Sequence, residues 1–262
     1  MKNIIAIAAI AGLASAASAQ VTAGLVADPA GNDIFVSQSS TAGPGVFADG
    51  LITTWSPGDM FGIADRGVGG PGLPFAMADD SVSIFTTDTQ GIIGETDFGR
   101  FFGAVDTENG ANSGPISASW TFDISGLTGL NATGLFAAMG DFEASSDFYD
   151  FTYSIDGAPA QPLFTSAIDE AGTQNYLMDN GTPVALDDPA LLNGNLLTND
   201  FQSLSAPIAG SGSTLELTFT AETNGGSEAF AFRSLEVTGI PTPGALALAG
   251  VAGLAAGRRR RA

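Results

Sequence analysis

Cysteine and histidine are both absent from this chain of 262 residues, and lysine occurs once, at Lys2. Without cysteine there is no disulfide framework, no thiol nucleophile and no thiolate metal site. Without histidine there is no Ser-His-Asp triad and no imidazole zinc site. The lack of any lysine after Lys2 excludes Schiff-base chemistry from the body of the chain. Carboxylates, hydroxyls and a few arginines are what remain for chemistry.

Positive charge is scarce altogether. Eight basic residues face 28 acidic ones, a formal net charge of −20. Arg66, Arg100 and Arg233 stand alone in the body, and Arg258, Arg259, Arg260 and Arg261 close the chain. All the acids lie between Asp28 and Glu236. Such a body argues against a nucleic-acid partner, which needs a basic surface to release counterions from phosphates. Self-repulsion favours solubility at some cost to compactness in low salt, a cost that divalent cations or a salty medium relieve.

The ends read as addresses. Lys2 precedes an apolar stretch from Ile4 to Ala14, and Ala17-Ser18-Ala19 follows with the small residues that signal peptidase accepts. This pattern predicts a secretory signal over 1–19, cleaved between Ala19 and Gln20. At the other end stand Pro241-Thr242-Pro243, an apolar run from Gly244 to Gly257, and then the four arginines. Fourteen residues make a helix of about 21 Å, short of a ~30 Å hydrocarbon core, so the run predicts a brief anchor. The arginines would stay on the cytoplasmic side.

This three-part tail, 241–262, resembles the PEP-CTERM sorting signal of Gram-negative bacteria, in a variant of the planctomycete type. Thr242 replaces the glutamate of the family's motif. The resemblance implies recognition by an exosortase-type enzyme, transient inner-membrane contact, removal of the tail, and delivery to the cell surface or extracellular matrix.

Between the addresses the apolar pattern has a period of two. Ile116, Ala118, Trp120, Phe122 and Ile124 alternate with polar residues up to Gly126, the pattern of a half-buried strand ended by a glycine turn. Tyr149, Phe151, Tyr153 and Ile155 alternate likewise before an Asp156-Gly157 turn. So do Leu215, Leu217 and Phe219, and then Phe230, Phe232 and Leu235, with a slip of phase near Arg233. Weaker strand patterns occur at Asp33–Ser37, Val46–Trp55, Ser81–Thr87, Arg100–Val105, Gly134–Phe142 and Phe201–Ile208. With 35 glycines and 13 prolines, these short runs predict one all-β domain over 20–240. Its expected fold is an antiparallel β-sandwich of jelly-roll type, with a signal helix before it and a short hydrophobic helix after it. The Gly/Pro-rich stretch Asp65 to Asp80 reads as a long surface loop.

From Trp120 to Gly239 the order of strands and turn glycines resembles secreted jelly-roll modules of the carbohydrate-binding or MAM-like kind. In such modules an aromatic of the last strand is often followed by an aspartate that helps hold a structural calcium. Here Phe232 is followed by Arg233-Ser234.

Asp141, Glu143, Asp147 and Asp150 fall within ten residues. Calcium takes six to eight oxygens from carboxylates, carbonyls and water, which such a segment can supply. Asp141 and Glu143 would share one face of a strand, and Glu228 would add a ligand from just before the last strand. The candidate Ca2+ set is therefore Asp141, Glu143, Asp147 and Glu228, its alternative a solvated acidic turn. The EF-hand spacing is absent. Asp141/Glu143 and Asp187/Asp188 are nominal glycosidase pairs, indistinguishable from surface acids in sequence. Trp120 falls on the buried phase of its strand, whereas Trp55 is free to stack on a sugar. Gly67 to Gly72 lack the Lys-Ser/Thr of a phosphate loop, and Asn131 to Thr133 fit a glycosylation sequon.

The reading is a non-enzymatic, structural or adhesive protein of the surface or matrix, with extracellular polysaccharide as its expected partner. A calcium-dependent carbohydrate-binding module is the first alternative, a carboxylate-based glycoside hydrolase the second.

Overall fold

The computed structural model describes residues 19–48, 58–66, 72–82 and 85–242. In chain order the strands begin with β1 (Val21–Val26), β2 (Ser37–Ser40), β3 (Met60–Asp65), β4 (Arg100–Val105), β5 (Ile116–Asp123) and β6 (Leu127–Met139). Next come β7 (Phe148–Ile155), β8 (Gln161–Phe164), β9 (Ser166–Ile168), β10 (Thr173–Leu177) and β11 (Pro183–Asp187). The series ends with β12 (Ala190–Leu192), β13 (Asn195–Leu196), β14 (Gln202–Ile208), β15 (Thr214–Glu222) and β16 (Ala229–Pro241).

Two antiparallel sheets form the expected sandwich. One, the inner sheet, has the order β14-β6-β16-β4-β3, with β1 also paired to β16; the other, the outer sheet, runs β2-β5-β15-β7-β8. Smaller sheets, β10-β11 and β13-β12-β9, flank them. The alternating residues of β5, β7 and β15 point Trp120, Phe122, Phe151, Leu217 and Phe219 into the space between the sheets. There they meet Phe61, Phe102, Phe136, Phe230 and Phe232 of the inner sheet. The rings interlock mostly edge to face, as at Trp120 and Phe102, 5.6 Å apart at 80°.

The inner sheet is buried on its other face too. Met60, Ala64, Phe101, Val105, Ala137, Met139, Ala229 and Ala231 form a second core beneath Ala76, Met77, Ile92 and Ile93, with Tyr176 and Met178. This burial corrects the surface-loop expectation for Asp65 to Asp80: its described part includes buried Ala76 and Met77, and 67–71 lie outside the described residues.

The phase slip at Arg233 is a β-bulge, where the register against β6 shifts between Arg233 and Glu236. Ser234 there has φ 51 and donates its N–H to the Ala27 carbonyl. Other expectations need correction. The strand expected at Gly134–Phe142 begins earlier, at Leu127, and ends at Met139, so Asp141 and Glu143 lie in a loop rather than on one strand face. Gly140 follows it in close packing: a Cβ there would stand 2.9 Å from the Glu228 Cα of the neighbouring connection. The described parts of Ser81–Thr87 hold turns and no strand, and Asp33–Ser37 contributes just the first residue of β2 and an isolated bridge from Ile34 to Leu25. At Val46–Trp55 the described residues hold the end of a short 3-10 turn, Pro44–Phe47. Both terminal helices expected from the sequence lie outside the described residues. Among the described residues no helix is long and apolar enough to cross a membrane.

Candidate functional site

Strand register brings two distant segments together. Glu222, the last residue of β15, pairs with Phe148, the first of β7. Ala229, the first residue of β16, pairs with Met139, the last of β6. The connection 140–147 runs from the inner sheet to the outer one, and 223–228 runs back beside it. Both crossovers therefore sit at one end of the sandwich.

Glu143 and Asp147 occupy the first crossover and Glu228 closes the second. One carboxylate oxygen from each lies within 4.8 Å of the other two. Asp147 and Glu228 are each only 5 % exposed, whereas Glu143 is exposed. A turn shapes the first segment, with Asp147 N–H donating to the Glu143 carbonyl at 2.8 Å and Glu143 N–H to Asp147 Oδ2 at 2.6 Å. In the second, Gly225 N–H donates to Glu228 Oε2 at 2.8 Å and the Thr223 hydroxyl donates to the same oxygen. A Cβ added at Gly225 would displace the Glu228 carboxylate from the position in which it accepts these bonds.

Two polar atoms of this cluster are buried without a hydrogen-bond partner, Asp147 Oδ1 and the Tyr149 hydroxyl. Tyr149 is fully buried, stacked on Phe230 at 4.6 Å. Burial, assisted by the charges of Asp147 and Glu143, pushes the Glu228 carboxyl up to about 7. Burial also raises Asp147 and, together with Asp147 as its neighbour, Glu143. It pushes the Tyr149 phenol well up, with the Asp147 and Glu228 charges acting in the same direction.

A third crossover, from β4 to β5, joins the same end. Thr223 N–H donates to the Thr107 hydroxyl at 3.1 Å, and Glu108 N–H to the Thr223 carbonyl at 2.8 Å. Asp106 beside them is pushed up to about 6, by burial first and by neighbouring Asp59 second.

Of the four residues proposed from sequence for Ca2+, the structure brings Glu143, Asp147 and Glu228 together and leaves Asp141 out. Asp141 lies instead near Asp188, adding its charge to the desolvation that raises the Asp188 carboxyl. Asp150 is engaged elsewhere, accepting from Ser166 N–H at 2.8 Å and from its hydroxyl at 3.0 Å. Where the resembling modules carry a calcium-holding aspartate, Arg233 pairs with Asp97 at 2.6 Å and lies over the Phe201 ring. Asp187 accepts from the Thr173 hydroxyl at 2.7 Å, which ties that nominal glycosidase residue into the β10-β11 hairpin. Trp120 is core, 2 % exposed, and Trp55 lies outside the described residues. Asn131 is in β6 and bonds to Thr133. At the termini, Gln20 bonds to Thr238, Pro241 pairs with Leu127, and Thr242 N–H donates to the Gly126 carbonyl. Ala19 is described and exposed; Ala17, Pro243 and Arg258 to Arg261 lie outside the described residues.

Sequence reasoning missed Tyr149, Thr223 and Gly225 as parts of this site. The Gly225-Gly226 pair before Glu228 was the available signal, since paired glycines mark a backbone turned tightly around a side chain.

No protein-family model matches the chain, and no curated protein matches it. Solved structures similar to it include TmCBM61 in complex with β-1,4-galactotriose, at 6% identity and a TM-score of 0.29, over 54% of this chain and 72% of that one. Another is the CBM22-1 xylan-binding domain from Paenibacillus barcinonensis, at 13% identity and a TM-score of 0.21, over 54% and 83%. The enzymatically active domain of bacteriophage CBA120 tailspike protein 4 overlaps at 11% identity and a TM-score of 0.30, over 56% and 16%.

Proposed function

We propose that this chain is an exported structural or adhesive protein of a cell surface or extracellular matrix. It is released from its signal at Gln20 and trimmed at its C-terminal sorting signal by an exosortase-type enzyme after transient membrane contact. One observation supports the adhesive role above others: the two outer faces of the sandwich differ. That of the inner sheet is covered by the second core. That of the outer sheet is half-exposed and carries hydroxyls in register. Ser39, Ser119, Thr218 and Thr152 align across β2, β5, β15 and β7, with Ser119 and Thr218 hydrogen-bonded at 2.8 Å. Hydroxyls both donate and accept, which matches the hydroxyl-rich surface of a polysaccharide. The inward-turned carboxylates of Asp147 and Glu228 favour this reading over a hydrolytic one, which needs an acid and a base facing a substrate cleft.

Intact-mass analysis of the protein from its host, separated into membrane, surface and medium, tests the itinerary. The expected product starts at Gln20, lacks the residues after Pro243 and partitions with the surface or matrix. A membrane-bound product retaining Arg258 to Arg261 would remove the sorting half of the proposal. Co-sedimentation with the host's own matrix polysaccharide tests adhesion, and Ser119→Glu with Thr218→Glu should weaken it.

A further inference from the structure

We propose that Glu143, Asp147 and Glu228 form a binding site for a divalent cation of the calcium class, which ties the 140–147 and 223–228 crossovers together. The site stands on crossover geometry alone and does not depend on the export reading.

Three carboxylates converge here, two of them 5 % exposed, and burying like charges together without a counterion is costly. No arginine among the described residues serves this end of the molecule. Arg66 pairs with Asp80, Arg100 with Asp33 and Arg233 with Asp97. Compensation has to come from a bound ion or from protons.

Two unpartnered atoms point to an ion. Asp147 uses Oδ2 to accept from Glu143 N–H, while its Oδ1 is buried and accepts no hydrogen bond of good geometry. The hydroxyl of Tyr149 is a second case: it is fully buried beside Thr223, makes no hydrogen bond of good geometry, and lies close enough to Asp147 and Glu228 to feel the charge of both. Buried polar atoms are almost always satisfied, so two at one acidic cluster mark a place built around a further group.

Donor chemistry names the class. Every side-chain donor is oxygen, and with no histidine or cysteine in the chain the site selects a hard cation over zinc or copper. The oxygen spacing fits as well: ligands at ~2.3–2.6 Å span a shell about 5 Å across, and the three oxygens already lie within 4.8 Å of one another. Exposed Glu143 gives the ion a route in from solvent. Two buried ligands then join the crossovers that link the sheets, so binding stabilises the whole sandwich end by mass action.

The test uses the full chain stripped with chelator and titrated with Ca2+, and in parallel with Mg2+, by calorimetry and thermal melting. The expected result is saturable binding at one site with a rise in Tm. Glu143→Gln, an exposed change compatible with folding, should weaken binding about tenfold or more. Asp147→Asn should do at least as much, and Asp141→Asn should leave affinity unchanged. No saturable heat and no Tm shift would overturn the proposal. So would an equal Ca2+ effect in wild type and Glu143→Gln, which would be charge screening of the 28 acids. Should Asp147→Asn fail to fold, Glu143→Gln still decides. Neither result bears on whether the chain is exported and trimmed.

Discussion

Ala231 and Phe232 are chain neighbours in β16, yet they belong to different cores. Phe232 points between the two sheets, its ring 5.1 Å from that of Phe102. Ala231 points to the opposite face of the inner sheet, under Met77 and Tyr176. The same division runs through β4 and β6. Most of the large rings fill the gap between the sheets, while the other face, Phe101 apart, is lined by alanine, Gly103, Val105 and methionine. Met60, Met77, Met139 and Met178, every methionine after Met1, lie in the second core. The physical meaning is a difference in stiffness. Aromatic rings interlock with two rotatable bonds each, whereas methionine has three and fills irregular gaps under a cover of loops. The main core joins the two sheets, and the second holds irregular segments against the inner sheet.

Deleting a ring should have the largest effect. Phe232→Ala is expected to cost about 3–5 kcal/mol, because a fixed cage of rings relaxes little around the cavity. Met77→Ala should fall near about 2 kcal/mol, since neighbouring methionines can move into the space. Chemical denaturation of both variants measures the difference, and equal losses would break the comparison.

Adding one methyl group sharpens it. In Gly24→Ala the new Cβ would overlap the Phe122 ring of the main core. In Gly103→Ala it would lie 2.8 Å from the terminal carbons of Met60 and Met77. The first should reach the upper part of the ~1–3 kcal/mol overpacking range, and the second should stay below about 1 kcal/mol. Paired thermal melts would show it, with a larger loss at Gly103 counting against flexible packing.

Acidity distinguishes the two regions more gently. The second core's buried titratable group is Tyr176, pushed by burial up to about 12 and neutral throughout the ordinary pH range. At the crossover end Asp106 stands at about 6, facing Asp59, above its ordinary value of 3.8. Between these two values the folded state keeps a proton that the unfolded state has lost. Stability from this group is therefore present below about pH 4, declines as pH rises, and is lost above about 6. With chelator present, unfolding at pH 5 and pH 7.5 should show lower stability at the higher pH. Asp106→Asn, which tolerates the positive φ of 44 found here, should reduce that difference and leave the part due to Glu228, raised to about 7.

Sequence alternation located β5, β7 and β15 because each has one buried and one solvated face, and period two is what such strands display. The strand expected at Arg100–Val105 coincides with β4 as well. Its run of apolar residues is buried on both sides, so it shows no alternation. β10 and β11 were invisible to the same reasoning. They lie on the second core, where a small patch of Tyr176, Val184 and Leu186 is all the apolar surface they pack, too little to show as a regular alternation. The candidate site divides likewise. Glu143 and Asp147 are four residues apart and could be grouped by eye; Tyr149's role could not, since an inward-facing tyrosine reads as ordinary core.

The sequence by itself determined the chemistry available here: oxygen ligands without nitrogen or sulfur, a strongly acidic body, and strands of period two that must pair into a sandwich. The tertiary structure alone decided which acids meet. Asp141 and Glu143 are two residues apart and diverge, while Glu228 lies 81 residues beyond Asp147 and converges with it. Sequence distance reports reach along the chain, whereas the register of β6 with β16 and of β7 with β15 sets which crossovers stand side by side.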